Sequence, residues 1–117
     1  MRILLITNDW LPKKGGISTY LTNLVSSVDH EFTIYAPSWA EGDNVINSSA
    51  SFFLNSKDTI KEISDIIKNK NIDIILHGSS NPQFLLIGKL DQISNINSPK
   101  NIKIPQFMIC HGAEFNV

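Results

Sequence analysis

Three short segments of this chain hold the groups best suited to chemistry. Asn8-Asp9-Trp10-Leu11-Pro12-Lys13-Lys14-Gly15-Gly16 combines a carboxylate, two lysines and a glycine pair. Gly78-Ser79-Ser80-Asn81 offers small and hydroxyl side chains, and His111-Gly112-Ala113-Glu114 offers an imidazole and a carboxylate. The glycine pair stands directly before an amphipathic run. An anion could therefore approach bare backbone N–H groups at the positive end of a helix dipole, and phosphate is the natural candidate. Taken alone, a glycine pair before a helix is more often a flexible turn. It is not the dinucleotide fingerprint, because no third glycine follows at the required spacing. Lys13 and Lys14 could add charge to this turn or simply form a solvated face.

His111 stands where an apolar run gives out, directly before Gly112. It could donate to a sugar hydroxyl or a phosphate oxygen; a histidine satisfied by backbone at a strand end is an equal alternative. His77 ends another apolar run and is open to the same two readings. Glu114 reads as an exposed acid sooner than as a ligand contact, and His30 receives no function. The three histidines are far apart and Cys110 is the sole cysteine, so the spacing supports no metal site. Cys110 and His111 are neighbours on a strand and point to opposite faces, a poor nucleophile–base pair. Neither Ser18 nor Ser79 has the surroundings of a nucleophile elbow.

The elements that must position these groups alternate in period. Residues 3–6 form a continuous Ile/Leu run ended by turn residues, a strand buried on both faces. From Ile17 the period becomes helical: Ile17, Tyr20, Leu21, Leu24, Val25 and Val28 share one face. Residues 31–36 alternate and end at Pro37, a second strand. Residues 38–49 read as a polar loop and 51–54 as a short third strand. Residues 57–70 place Ile60, Ile63, Ile66 and Ile67 opposite the lysines, a second helix. Residues 72–77 make a fourth strand. Asn81-Pro82 supplies an N-cap and a first-turn proline for a third helix over 84–93. After an Asn-rich linker, 104–111 make a fifth strand with Pro105 at its start. Strands alternating with helices predict an α/β fold, a Rossmann-like, doubly wound parallel sheet of order 3-2-1-4-5. Ligands bind such sheets outside the carboxyl ends of the strands, where the strand order reverses. That rule selects the three segments above.

A chain of 117 residues with 42% hydrophobic content supports one domain and one core. A net charge of -1 gives no overall attraction to nucleic acid or an anionic membrane. The lone cysteine forbids an intrachain disulfide, which fits a reducing, cytoplasmic compartment. The opening apolar run is too short for a secretory signal, and no stretch reaches the length of a membrane span. Peripheral contact with the inner membrane surface stays open.

In order and spacing these motifs resemble the N-terminal domain of retaining GT-B glycosyltransferases of the phosphatidylinositol mannosyltransferase-like and glycogen synthase-like kinds. The resemblance rests on four pieces. They are Met1-Arg2-Ile3-Leu4-Leu5-Ile6-Thr7-Asn8-Asp9 with Pro12 and Gly15-Gly16-Ile17, His30 to Pro37, Asp73 to His77, and Pro105 to His111 followed by Gly112 and Glu114. It implies a two-domain enzyme that moves a sugar from a nucleotide-diphosphate donor to an acceptor with retention and without a metal or other cofactor. By the same resemblance Gly15 and Gly16 lie by the donor diphosphate, His111 reaches the donor sugar, and Asp9 and Ser18 line the acceptor side. The family's C-terminal donor-binding domain has no counterpart here. The expectation is a single N-terminal, acceptor-side domain over 1–117, truncated just past its fifth strand and inactive alone.

A non-catalytic Rossmann-like module that binds phosphate or nucleotide, or serves interaction, is the alternative. A response regulator would need an acidic cluster at the ends of strands one and three, where Asp9 is a lone acid. A nicotinamide domain would need an acid after strand two, where Pro37-Ser38 stands. An unpaired fifth strand would also invite a homodimer through that edge.

Overall fold

The structure, a computed structural model, describes residues 1–54, 56–78, 87, 90 and 104–109. Its elements are β1 (Arg2–Ile6), α1 (Gly16–Ser27), β2 (Glu31–Ala36), β3 (Val45–Asn47), α2 (Lys57–Lys70), β4 (Ile74–His77) and β5 (Gln106–Met108). All pairings are parallel and the sheet order is β3-β2-β1-β4-β5. The expected doubly wound sheet is therefore present.

Alternation along the strands divides the core in two. Leu4, Ile6, Tyr35 and Ile75 pack with Ile63, Ile66 and Ile67 of α2, joined by Leu90 and Ile104. Ile3, Leu5, Ile34 and Ala36 pack on the other face with Leu21 of α1 and with Trp10. The Tyr35 hydroxyl donates to Glu62, which ties β2 to α2. Burial, then the adjacent carboxylate, hold that phenol well above its ordinary pKa.

The third strand differs from expectation. It is Val45–Asn47, paired with Ile34, Tyr35 and Ala36, and not 51–54. The alternation read in 51–54 is real: Phe53 is buried while Phe52 and Leu54 are exposed. The backbone of Phe53, however, bonds a side chain. Asn8 Nδ2 donates to the Phe53 carbonyl at 2.9 Å, and the Phe53 N–H donates to Asn8 Oδ1 at 3.0 Å. One amide thus imitates a strand and lays this segment across the end of β1. The first helix also packs differently. Leu21 is fully buried, whereas Ile17, Val25 and Val28 are only partly covered and Tyr20 is half exposed. The packed face is rotated toward Ser18, which is buried beside Leu21 on the same helix. The predicted third helix and the residues at 110–111 lie outside the described residues, apart from Ile87 and Leu90.

Two features lock the carboxyl end of β4. The Gly78 N–H donates to the Ile6 carbonyl at 2.9 Å. A Cβ on Gly78 would stand 2.9 Å from Leu21 Cδ1, Thr7 Cβ and Thr7 Oγ1. Thr7 is itself fully buried, so it has no room to yield. Next to it, fully buried His77 lies 2.8 Å through Nε2 from Gln106 Oε1, and Gln106 Nε2 donates to the Ile87 carbonyl at 3.0 Å. Because Gln106 presents an oxygen, Nε2 carries the proton, and Nδ1 has no partner among the described residues. Burial lowers the His77 pKa, opposed in part by the Gln106 bond.

Two measurements check this account. Gly78→Ala should cost about 1–3 kcal/mol in urea denaturation, since it overpacks a filled contact; an unchanged midpoint contradicts the close approach. For His77 the unfolded chain binds a proton more readily than the folded one. Its share of stability is therefore full above the ordinary imidazole pKa of 6.5 and is lost as pH falls below it toward the lowered folded value. Wild type should lose stability through that window more steeply than His77→Gln, and parallel pH profiles would contradict a neutral buried imidazole.

Candidate functional site at the carboxyl end of the sheet

The loop from β1 to α1 begins with two buried polar residues, Thr7 and Asn8. Thr7 Oγ1 accepts from the Asp9 N–H at 2.9 Å, which turns the chain sharply out of the strand. Asn8 braces the 51–54 segment as described. Trp10 is buried against Ala36 and Ala40, and its indole N–H finds no acceptor among the described residues. The Glu41 N–H donates to the Leu11 carbonyl at 2.9 Å, so the loop after β2 leans on the loop after β1. Lys13 Nζ forms an ion pair with Asp9 across one turn of loop.

Gly15 and Gly16 end this loop. Both are exposed, and a Cβ on either would meet no atom of the described residues within 4 Å. Gly15 is extended, with φ 163° and ψ 170°, a conformation open to any residue. The fold itself therefore does not require glycine at either position. The helix that follows has no side-chain cap and no acid in its first turn. The first-turn N–H groups of a helix have no intrahelical acceptor, and among the described residues no side-chain cap takes their place.

The second helix shows that this is a local choice. Ser56 caps α2 by accepting from the Thr59 N–H, Asp58 stands in its first turn, and Lys68 and Lys70 stand in its last. Asn71 closes it in the left-handed region at φ 53°. Across the sheet from this capped helix, α1 starts without a side-chain cap and with two glycines. Ser18, in the first turn of α1, is nine-tenths buried or more, and its hydroxyl has no partner among the described residues. A helix N-terminus without a side-chain cap and two nearby lysines make a site suited to an anion with several oxygens.

Of the residues singled out from sequence, Asp9, Gly15, Gly16 and Ser18 all belong to this loop and helix start. Asp9 is engaged by Lys13, so its carboxylate is not bare. His111 lies outside the described residues. His77 is wholly buried and faces Gln106, so it braces β4 against β5 and does not open to the crevice. Asn8, Trp10 and Gly78 shape the site and escaped notice as such. Their partners are distant in sequence, 45 residues away for the Asn8–Phe53 pair. At the opposite end of the sheet a polar cleft of about 230 Å³ is lined by Arg2, Glu31 and Lys70 among others. Arg2 there bonds Glu31 and the Lys70 carbonyl. Among the described residues, no group of three or more His, Cys, Asp or Glu is placed to hold a metal ion, and no helix is long and apolar enough to cross a membrane.

No family model matches the chain. Curated relatives do. A GDP-mannose-dependent alpha-(1-6)-phosphatidylinositol monomannoside mannosyltransferase of Mycobacterium tuberculosis is 31% identical over 100 residues, covering 73% of this chain and 26% of the relative. The protein of the same name from Mycolicibacterium smegmatis is 29% identical over 97 residues, 72% of this chain and 25% of that protein. A GDP-mannose-dependent monoacylated alpha-(1-6)-phosphatidylinositol monomannoside mannosyltransferase of Corynebacterium glutamicum is 26% identical over 102 residues, 78% of this chain and 27% of that protein. The chain spans about a quarter of the length of these relatives. Their shared description agrees with the resemblance carried by the strand-end motifs. Over most of its length this chain is related to the phosphatidylinositol mannosyltransferases, which are GT-B glycosyltransferases, and it matches a part of such an enzyme.

Proposed function

We propose that this chain is the acceptor-side half of a retaining glycosyltransferase that moves a mannosyl group from GDP-mannose to a lipid-linked acceptor. The observation that carries this reading is the open start of α1, where two glycines have no structural duty and no cap occupies the N–H groups. In the transfer, the bond between the sugar's anomeric carbon and the donor diphosphate breaks and negative charge grows on the diphosphate. The N–H groups at residues 16–18, the helix dipole and Lys13 and Lys14 would receive that charge, as preorganised donors do. No metal is needed in this scheme. Ser18 and Asp9 belong to the acceptor side, and His111 to the donor sugar.

The donor nucleotide would be held by a second domain, so the chain alone is proposed to bind the diphosphate weakly and to transfer no sugar. A cytoplasmic location, with contact at the inner membrane surface, belongs to the same proposal. The names of the relatives support the donor and the class of acceptor; the open turn supports the place of the diphosphate.

Gly16→Val separates the two possible reasons for the glycine. A fold-determining glycine would make the variant unstable. A ligand-determined glycine predicts a melting temperature equal to or slightly above wild type, because a side chain at an unobstructed helix start lowers the entropy of the unfolded chain. The same variant should lose the broadening of the GDP-mannose ³¹P signals that wild type produces. Retained broadening in a stable variant contradicts the proposed place of the diphosphate.

A further inference from the structure

His77 is a fully buried ionisable group that the proposed transfer leaves unused. It joins three places that are far apart in sequence. Its Nε2 donates to Gln106 Oε1 on β5, and Gln106 Nε2 donates to the Ile87 carbonyl. The Ile87 carbonyl fixes which way the Gln106 amide points, and the amide in turn fixes the imidazole tautomer. A second proton would have to sit on Nδ1, which has no acceptor among the described residues. The closed arrangement therefore suits the neutral ring and not the cation. Among the described residues no charge stands by to offset this. Abreast of His77 in the sheet are Ile6 on β1 and Met108 on β5. The ionisable pair on that face, Tyr35 with Glu62 of α2, stands one strand further off, beyond Ile6. The other charged side chains of α2 are exposed.

The strand held in this way has little else to secure it. β5 is three residues long, lies at the sheet edge and pairs with β4 alone among the described residues. Phe107, in its middle, is 55% exposed. Such short edge elements open at lower cost than a core. We propose that His77 and Gln106 form a proton-operated clasp: the neutral imidazole holds β5 on the sheet, and proton uptake by His77 releases β5 while β1, β2 and α2 stay folded. The released ring regains the ordinary pKa of 6.5, whereas burial holds the closed ring lower. Between those two values the open form carries one proton more than the closed form. Each pH unit downward therefore raises the open share about tenfold. β4 ends at the carboxyl pole of the sheet, so acid loosens the sheet beside the candidate site. The clasp does not depend on the proposed transfer.

Native-state hydrogen exchange of the whole chain from about pH 8 to about pH 5 tests it, with rates corrected for the intrinsic effect of pH. The reporters are the Ile75 N–H, bonded to the Pro105 carbonyl, and the Ile109 N–H, bonded to the His77 carbonyl. The Thr7 N–H, bonded to the Tyr35 carbonyl, reports the central strands. Ile75 and Ile109 should be less protected than Thr7 and should respond little to dilute urea. Their protection should fall about tenfold per pH unit below 6.5. Two-bond ¹H–¹⁵N spectra should show His77 protonated on Nε2 alone at about pH 8. His77→Gln should abolish the pH slope at both reporters. Gln106→Glu should abolish it too, since a carboxylate facing Nε2 lets the closed ring keep its proton. A flat profile in wild type overturns the clasp, as does an Nδ1–H tautomer. A slope that persists in His77→Gln assigns the proton elsewhere and overturns it. Protection and urea response equal to those of Thr7 would mean that β5 leaves only when the whole domain unfolds, which overturns it as well. The wild-type slope, urea response and tautomer decide the matter even where a variant fails to fold.

Discussion

Parallel pairing constrains this molecule more than any single contact. Each parallel strand must hand the chain on from its carboxyl end, so the chain leaves β1, β2 and β4 at one pole. Both faces of the sheet are covered, and the strands are built from Ile and Leu where β1 runs through the middle. The pole then has to close over the strand ends without a ladder to hold it. Asn8 does so with its side-chain amide, bonded to both backbone groups of Phe53. Gly78 does so by having no side chain where β4 meets Thr7 and Leu21.

Against this well-satisfied background the start of α1 stands apart. The chain caps α2 at both ends and fills the approaches around Gly78, yet among the described residues no side chain caps the first turn of α1 beside Gly15 and Gly16. The bare turn lacks even the few tenths of a kcal/mol or more that a serine or aspartate cap contributes. Natural sequences depart from local consistency chiefly at functional sites. The departure here falls at the strand ends where α/β sheets bind ligands, in a chain related to enzymes whose names specify a nucleotide-sugar donor.

Much of this was legible in the sequence because the signals were local. The end of β2 follows from Pro37 and the extent of α2 from its Ile stripe, and the order 3-2-1-4-5 follows from alternation and handedness. What escaped was non-local. Residues 51–54 have a strand's alternation, but their hydrogen bonds go to Asn8, which no period can reveal. The strand at Val45–Asn47 hides in a polar stretch because edge pairing with β2 decides it, not composition. Tyr20 completes the helical stripe on paper, yet it is half exposed while Ser18 is buried in its place. His77 ends an apolar run as expected, but its duty to Gln106 depends on a strand 29 residues away. In the site, the glycine pair and Asp9 were visible as residue types, whereas the ion pair of Asp9 with Lys13 and the unpartnered Ser18 hydroxyl needed the fold.

The central claim is that the open helix start receives a sugar-nucleotide diphosphate. The most direct measurement is a ¹H–¹⁵N titration of the wild-type chain with GDP-mannose. The account predicts fast-exchange shifts concentrated on the amides of residues 15–18, with little change at Arg2, Glu31 and Lys70 at the opposite pole. Shifts centred on that opposite pole, or unmoved glycine amides at millimolar ligand, would contradict it.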